Sequence, residues 1–181
     1  MEPSDHDVDE QGRRTPPTAG TESEVLRGFL EFHRQTLLWK ISGLDRDAML
    51  RTSPPSTMTL LGMVKHLAFV EDWWFGRVLT GEIGAPWDTV DWDADPDWDW
   101  DSAAGDAFED VLTLWQDAIA RSQDALDAAA DGLETLAARP PRWAGADMKL
   151  RWIVVHMIEE YSRHNGHADL LREAIDGQVG E

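Results

Sequence analysis

Cysteine is missing from the 181-residue chain. That absence excludes disulfides, thiolate metal ligands and a protein thiol nucleophile, so any sulfur chemistry must use a thiol from outside. Positive charge is scarce: 16 Lys and Arg stand against 35 Asp and Glu, a formal net charge of −19. Such a chain lacks the basic stripe that nucleic-acid binding needs. It would also be repelled by anionic membranes. No run approaches the roughly 18 apolar residues of a membrane-spanning helix. Residues 1–20 hold no apolar stretch of the signal-peptide kind, so a soluble cytoplasmic protein is the expectation. GxGxxG, P-loop and GxSxG patterns are missing too, which removes the common nucleotide-binding and serine-hydrolase readings.

What is present is helical periodicity. Residues 1–20 are acidic and rich in Pro, Thr and Gly, and read as a disordered N-terminal tail. From about Thr21, Val25, Leu26, Phe29, Leu30, His33, Leu37 and Ile41 follow i, i+3, i+4 spacing, with Gly43 as the stop. A second helix is predicted from Thr57 or Thr59, either of which can cap it, with Gly81 and Gly84 ending it. Its apolar stripe is Leu60, Met63, Val64, Leu67, Val70, Trp74 and Val78. A third runs from about Asp106 to Ala130 and a fourth from Asp147 to about Asp176. Between the second and third, Trp87, Trp92, Trp98 and Trp100 alternate with seven aspartates. This segment reads as a long Asp/Trp-rich crossover loop, its tryptophans pinned to the protein and its aspartates in water. Four amphipathic helices with little strand signal predict an all-α four-helix bundle, formed by residues 21–181 as a single domain. Ten tryptophans are many for such a domain to hide, which makes a homodimer an expectation from bulk alone.

The densest chemistry lies in the fourth helix. Glu160 and His164 are about 40° apart on a helical wheel, and His167 falls about 20° on the other side of Glu160. Ile153, Met157, Tyr161, Ala168 and Leu171 lie across or beside that stripe, so the polar groups face a core. A carboxylate and imidazoles carried inward need compensation, and a divalent metal supplies it with a single charge. A further ligand must come from another helix. His66 is the strongest candidate, although it lies on the flank of its apolar stripe, and Glu71 is the better-centred rival. His167 reads either as a proton carrier beside the metal or as a hydrogen-bonded histidine at the bundle end. His156 and His33 read as structural. Arg163 either steers an anionic substrate or pairs with Glu159 or Glu160. Asp91-x-Asp-x-Asp95 opens like a calcium loop, but Pro96 and Ser102 occupy the positions of its glycine and bidentate Glu.

Two runs carry a family resemblance. Leu60-Leu-Gly-Met-Val-Lys-His-Leu-Ala-Phe-Val-Glu-Asp-Trp-Trp-Phe75 and the stretch from Leu150 to Glu173, with His156-Met-Ile-Glu-Glu-Tyr-Ser-Arg-His-Asn-Gly-His167 at its centre, resemble the DinB-like superfamily. They are similar in particular to the branch of mycothiol-dependent maleylpyruvate isomerases. The resemblance implies a four-helix bundle with a central divalent metal. It implies His66, Glu160 and His164 as the ligands, with Glu160 where most of the superfamily places a histidine. It points to zinc first, with nickel or iron as alternatives.

Three protein ligands would leave an open position on the ion, the arrangement of a catalytic site. The functional expectation is that an external mycothiol-like thiol, or water, is activated there toward a small electrophile. The reaction would be S-transfer or isomerisation, with His167 as the catalytic proton carrier. The alternative is a non-catalytic stress-response module whose metal is structural.

Overall fold

The computed structural model describes residues 8–180. The described residues divide into two compact units, one made of residues 8–44 and 154–180, the other of residues 45–153. Among the described residues there is no β-strand, only two isolated bridges, Val8 with Arg14 and Leu136 with Lys149. The protein is all-α, as its periodicity predicts.

In the first unit, α1 spans Glu22–Ile41. Thr21 starts it as one half of a capping box: its side chain accepts from the Glu24 amide, and the Glu24 carboxylate accepts from the Thr21 amide. Two orphan donors of the first turn are thereby satisfied. Leu30, Leu37 and Ile41 are buried along one face. The other long element is α6, Leu150–Asp176, whose part in this unit buries Val154, Met157, Tyr161, Ala168 and Leu171. Polar links tie α6 to α1. Arg172 donates to the carbonyls of Lys40 and Ser42, both at 2.8 Å, and Lys40 Nζ lies 2.6 Å from Asp169 Oδ1.

Of the tail expected from composition, residues 1–7 lie outside the described residues. Residues 8–14 form a turn against α1. Arg13 is buried there, paired with Asp9 at 2.8 Å, hydrogen-bonded to Thr36 at 3.0 Å and stacked over Phe32.

In the second unit, the short α2, Arg46–Met49, is capped by Asp45 and has no counterpart in the predicted elements. α3 covers Leu60–Glu71, with Thr59 capping it through the Gly62 amide. The chain then widens into a π-helical stretch, Asp72–Thr80, which ends at Gly81 with φ 89°. A left-handed residue there favours glycine. The predicted second helix is therefore real, and its last nine residues are π-helical. α5, Phe108–Ala128, buries Val111, Trp115, Ala118 and Leu126 and packs against α3 and the π-helical stretch.

The Asp/Trp-rich segment is more ordered than a water-facing loop. It contains a turn of 3₁₀ helix at Trp87–Thr89, the short α4 at Trp98–Asp101 and another 3₁₀ turn at Ser102–Gly105. Asp88, Asp91, Asp93, Asp97 and Asp101 are exposed as expected, but Asp99 is buried.

Candidate metal centre

Spacing on α6 brings two of the expected residues together. Residues four apart on a helix are neighbours, and His164 Nε2 lies 3.5 Å from Glu160 Oε2. His164 is buried and Glu160 partly so. Two ligands of a tetrahedral ion, each about 2.0–2.2 Å from it, stand about 3.3 Å apart. The observed spacing is close to that, so this imidazole and carboxylate fit one divalent cation with little rearrangement. The donor set, one nitrogen and one hard oxygen, suits zinc and the neighbouring first-row ions.

Glu160 has a second imidazole on its other side. His156 Nε2 lies 3.3 Å from Glu160 Oε1, and His156 Nδ1 lies 3.5 Å from Glu159 Oε2. His156, Glu159 and Glu160 each bring one donor atom within 4.8 Å of the others. Glu159 is exposed and already bonded to Arg163 at 2.6 Å. Arg163 is thus an ion-pair partner, the second of its expected roles, and His156 braces the carboxylate of Glu160.

His167 sits one turn beyond His164, their ring centroids 5.7 Å apart. Burial lowers its pKa first, and the charges of His164 and Arg163 lower it further. Its Nδ1 is buried and meets no hydrogen-bond partner among the described residues. A neutral imidazole with an uncommitted nitrogen is chemically able to take up a proton. His33 of α1 is half-buried; Asn165 Nδ2 donates to its backbone carbonyl at 3.0 Å and stands 3.5 Å from its Nδ1.

In the second unit, α3 carries His66, and α4 approaches it. The His66 ring stacks on Trp100 with centroids 4.5 Å apart. His66 Nδ1 lies 2.6 Å from Asp99 Oδ2. Sequence reading missed Asp99 because it is one of seven similar aspartates; its only local mark is the helical turn that carries it. Trp100 also lines a cavity of about 500 Å³ with Leu50, Thr57, Met58 and Asp97. A second cavity, about 380 Å³, is bordered by Asp72, Phe75, Arg121 and Ser122 and includes none of the expected ligands. The rival Glu71 is fully buried in α3.

A family model for the mycothiol-S-transferases matches residues 25–177. The chain belongs to the mycothiol-S-transferase family. That match takes in α1, α3, α5 and α6 together, and it agrees with the DinB-like resemblance of the two signature runs. No curated protein matches the chain. Family membership makes an external low-molecular-weight thiol the partner class, in keeping with a chain that has no cysteine of its own. Among the described residues no helix is long and apolar enough to cross a membrane.

Proposed function

We propose that this mycothiol-S-transferase family member is a metal-dependent enzyme that joins a mycothiol-like thiol through its sulfur to a small electrophile. The observation that carries the reading is the Glu160–His164 pair, set at ligand spacing on α6 in a chain matched by a thiol-transferase family. His66 is the third ligand in this reading, supplied by α3. Zinc is the first choice of ion, with nickel or iron as alternatives. When bound, the ion would act as a Lewis acid that favours the deprotonated form of a thiol or of water.

The chain's own residues have defined tasks. Glu160 contributes negative charge, which balances part of the cation's charge and holds it in place. His156 orients that carboxylate from the side away from His164. His167, kept neutral by its surroundings, accepts the thiol proton. The sulfur lone pair then attacks the electrophilic carbon, and the leaving group departs with its bonding electrons.

Zinc-loaded protein, mycothiol and a bromoalkyl electrophile test this reading. Thiol loss and bromide release should rise together over the uncatalysed rate. His164→Ala should lower that rate by tenfold or more, because the ion loses one of its three protein ligands. Equal rates with and without the substitution would remove the catalytic claim. If removing metal only lowered the melting temperature, and calorimetry found no thiol binding, a structural metal would be the better account.

A further inference from the structure

A metal-binding imidazole must present a lone pair, and the nitrogen that does so is decided by what the other nitrogen bonds to. His66 meets a carboxylate at one of its nitrogens. Asp99 Oδ2 lies 2.6 Å from His66 Nδ1, and the Asp99 side chain is only 5% exposed. An ionised carboxylate accepts hydrogen bonds and donates none. For a neutral His66, that contact is favourable only when Nδ1 carries the proton, and Nε2 then carries the lone pair.

The approach of α4 to α3 is fixed by contacts on both sides of this bond. Trp100 stacks on the His66 ring, the two planes inclined by 23°. Gly62 makes room, since a β-carbon there would lie 3.2 Å from both the Trp100 ring and its carbonyl oxygen. One residue before His66, Lys65 donates to Ser102 Oγ at 2.7 Å and to Asp106 Oδ2 at 2.5 Å, with its ammonium 4.1 Å over the Trp98 ring. Lys65 is itself buried, so these bonds hold the turn after α4 firmly against α3. Asp99 thus sits in a clamped segment rather than on a free loop.

We propose that Asp99 is a positioning residue: it locks His66 in the Nδ1–H tautomer and aims Nε2 as the donor toward a divalent cation. The Asp/Trp-rich segment is then the arm that prepares α3's imidazole for its task. This inference rests on the proposed metal reading for its purpose, but not for its geometry. Buried partners of this kind are worth about 10–100-fold in metal affinity.

The test begins with metal-free protein labelled with ¹⁵N in its imidazoles. Long-range proton–nitrogen spectra above pH 7.5 should show His66 protonated at Nδ1. Asp99→Asn, of nearly the same shape, should yield a mixture of tautomers and raise the zinc dissociation constant about tenfold. Asp93→Asn, a change at an exposed aspartate, should alter neither. Wild-type His66 protonated at Nε2, or an Asp99→Asn spectrum identical to wild type, would overturn the proposal. Should Asp99→Asn fail to fold, the wild-type tautomer still decides. Should the wild type bind no zinc at all, the metal reading falls, and the tautomer spectrum alone judges Asp99.

Discussion

Asn165 on α6 donates its side-chain amide to the backbone carbonyl of His33 on α1, at 3.0 Å. The contact sets a histidine where protonation is disfavoured. Burial pushes the His33 pKa below its usual value of 6.5, and the Arg13 guanidinium pushes it the same way.

Acid should therefore destabilise the protein through His33. A histidine whose pKa falls on folding leaves the unfolded chain binding more protons, so stability rises with pH across that window. The contribution is complete above the unfolded value near 6.5 and is lost progressively as pH falls toward the folded one. His167 is shifted in the same direction and adds to the effect. Urea midpoints at pH 7.5 and 5.5 should differ less in His33→Gln than in wild type. Equal differences would show that His33 carries none of the acid sensitivity.

Asp72 should matter more to stability than its partner Arg121. Its carboxylate accepts two bonds from Arg121 at 2.9 Å and one from the buried Trp87 indole at 2.8 Å. Asp72→Ala would leave a buried indole N–H and a guanidinium without this acceptor, at a cost of about 3 kcal/mol. Arg121 is half exposed, so water can take its place, and Arg121→Ala should cost about 1 kcal/mol. Chemical denaturation of both variants checks the order, and a larger loss from Arg121→Ala would contradict it.

The N-terminal turn should depend on Gly28. A β-carbon there would lie 2.6 Å from Pro17 Cδ and 3.3 Å from the Pro16 backbone. Gly28→Ala favours the helix itself by up to about 1 kcal/mol, but it would push the Pro16–Pro17 stretch off α1. Trypsin should then cut after Arg13 and Arg14 several-fold faster, while helical circular dichroism stays the same. An unchanged cutting rate would mean that the turn is held without the prolines.

Much of the fold was legible because its signals are local. Thr59, one of the two caps expected for its helix, does cap it, and Gly43 and Gly81 take positive φ where helices were expected to stop. The i, i+4 relation of Glu160 and His164 is likewise readable from spacing alone. What escaped depends on distant contacts. Asp99 finds its partner 33 residues away, and nothing in an alternating Asp/Trp run separates it from its neighbours. Arg13 lies in a stretch whose composition reads as a tail, yet its partners are Asp9 nearby and Thr36 on α1. The π-helical widening at Asp72–Thr80 keeps the apolar character of a helix, so periodicity alone predicts an ordinary one.

The most direct test is elemental analysis and zinc calorimetry on protein purified without added metal. The proposed ligand set predicts one divalent ion per chain in the wild type. It predicts strongly reduced binding in His66→Ala and in Glu160→Gln, with helical content preserved in both. A wild type that neither carries nor takes up a divalent ion would contradict the account, as would a His66→Ala variant that binds zinc as tightly as wild type.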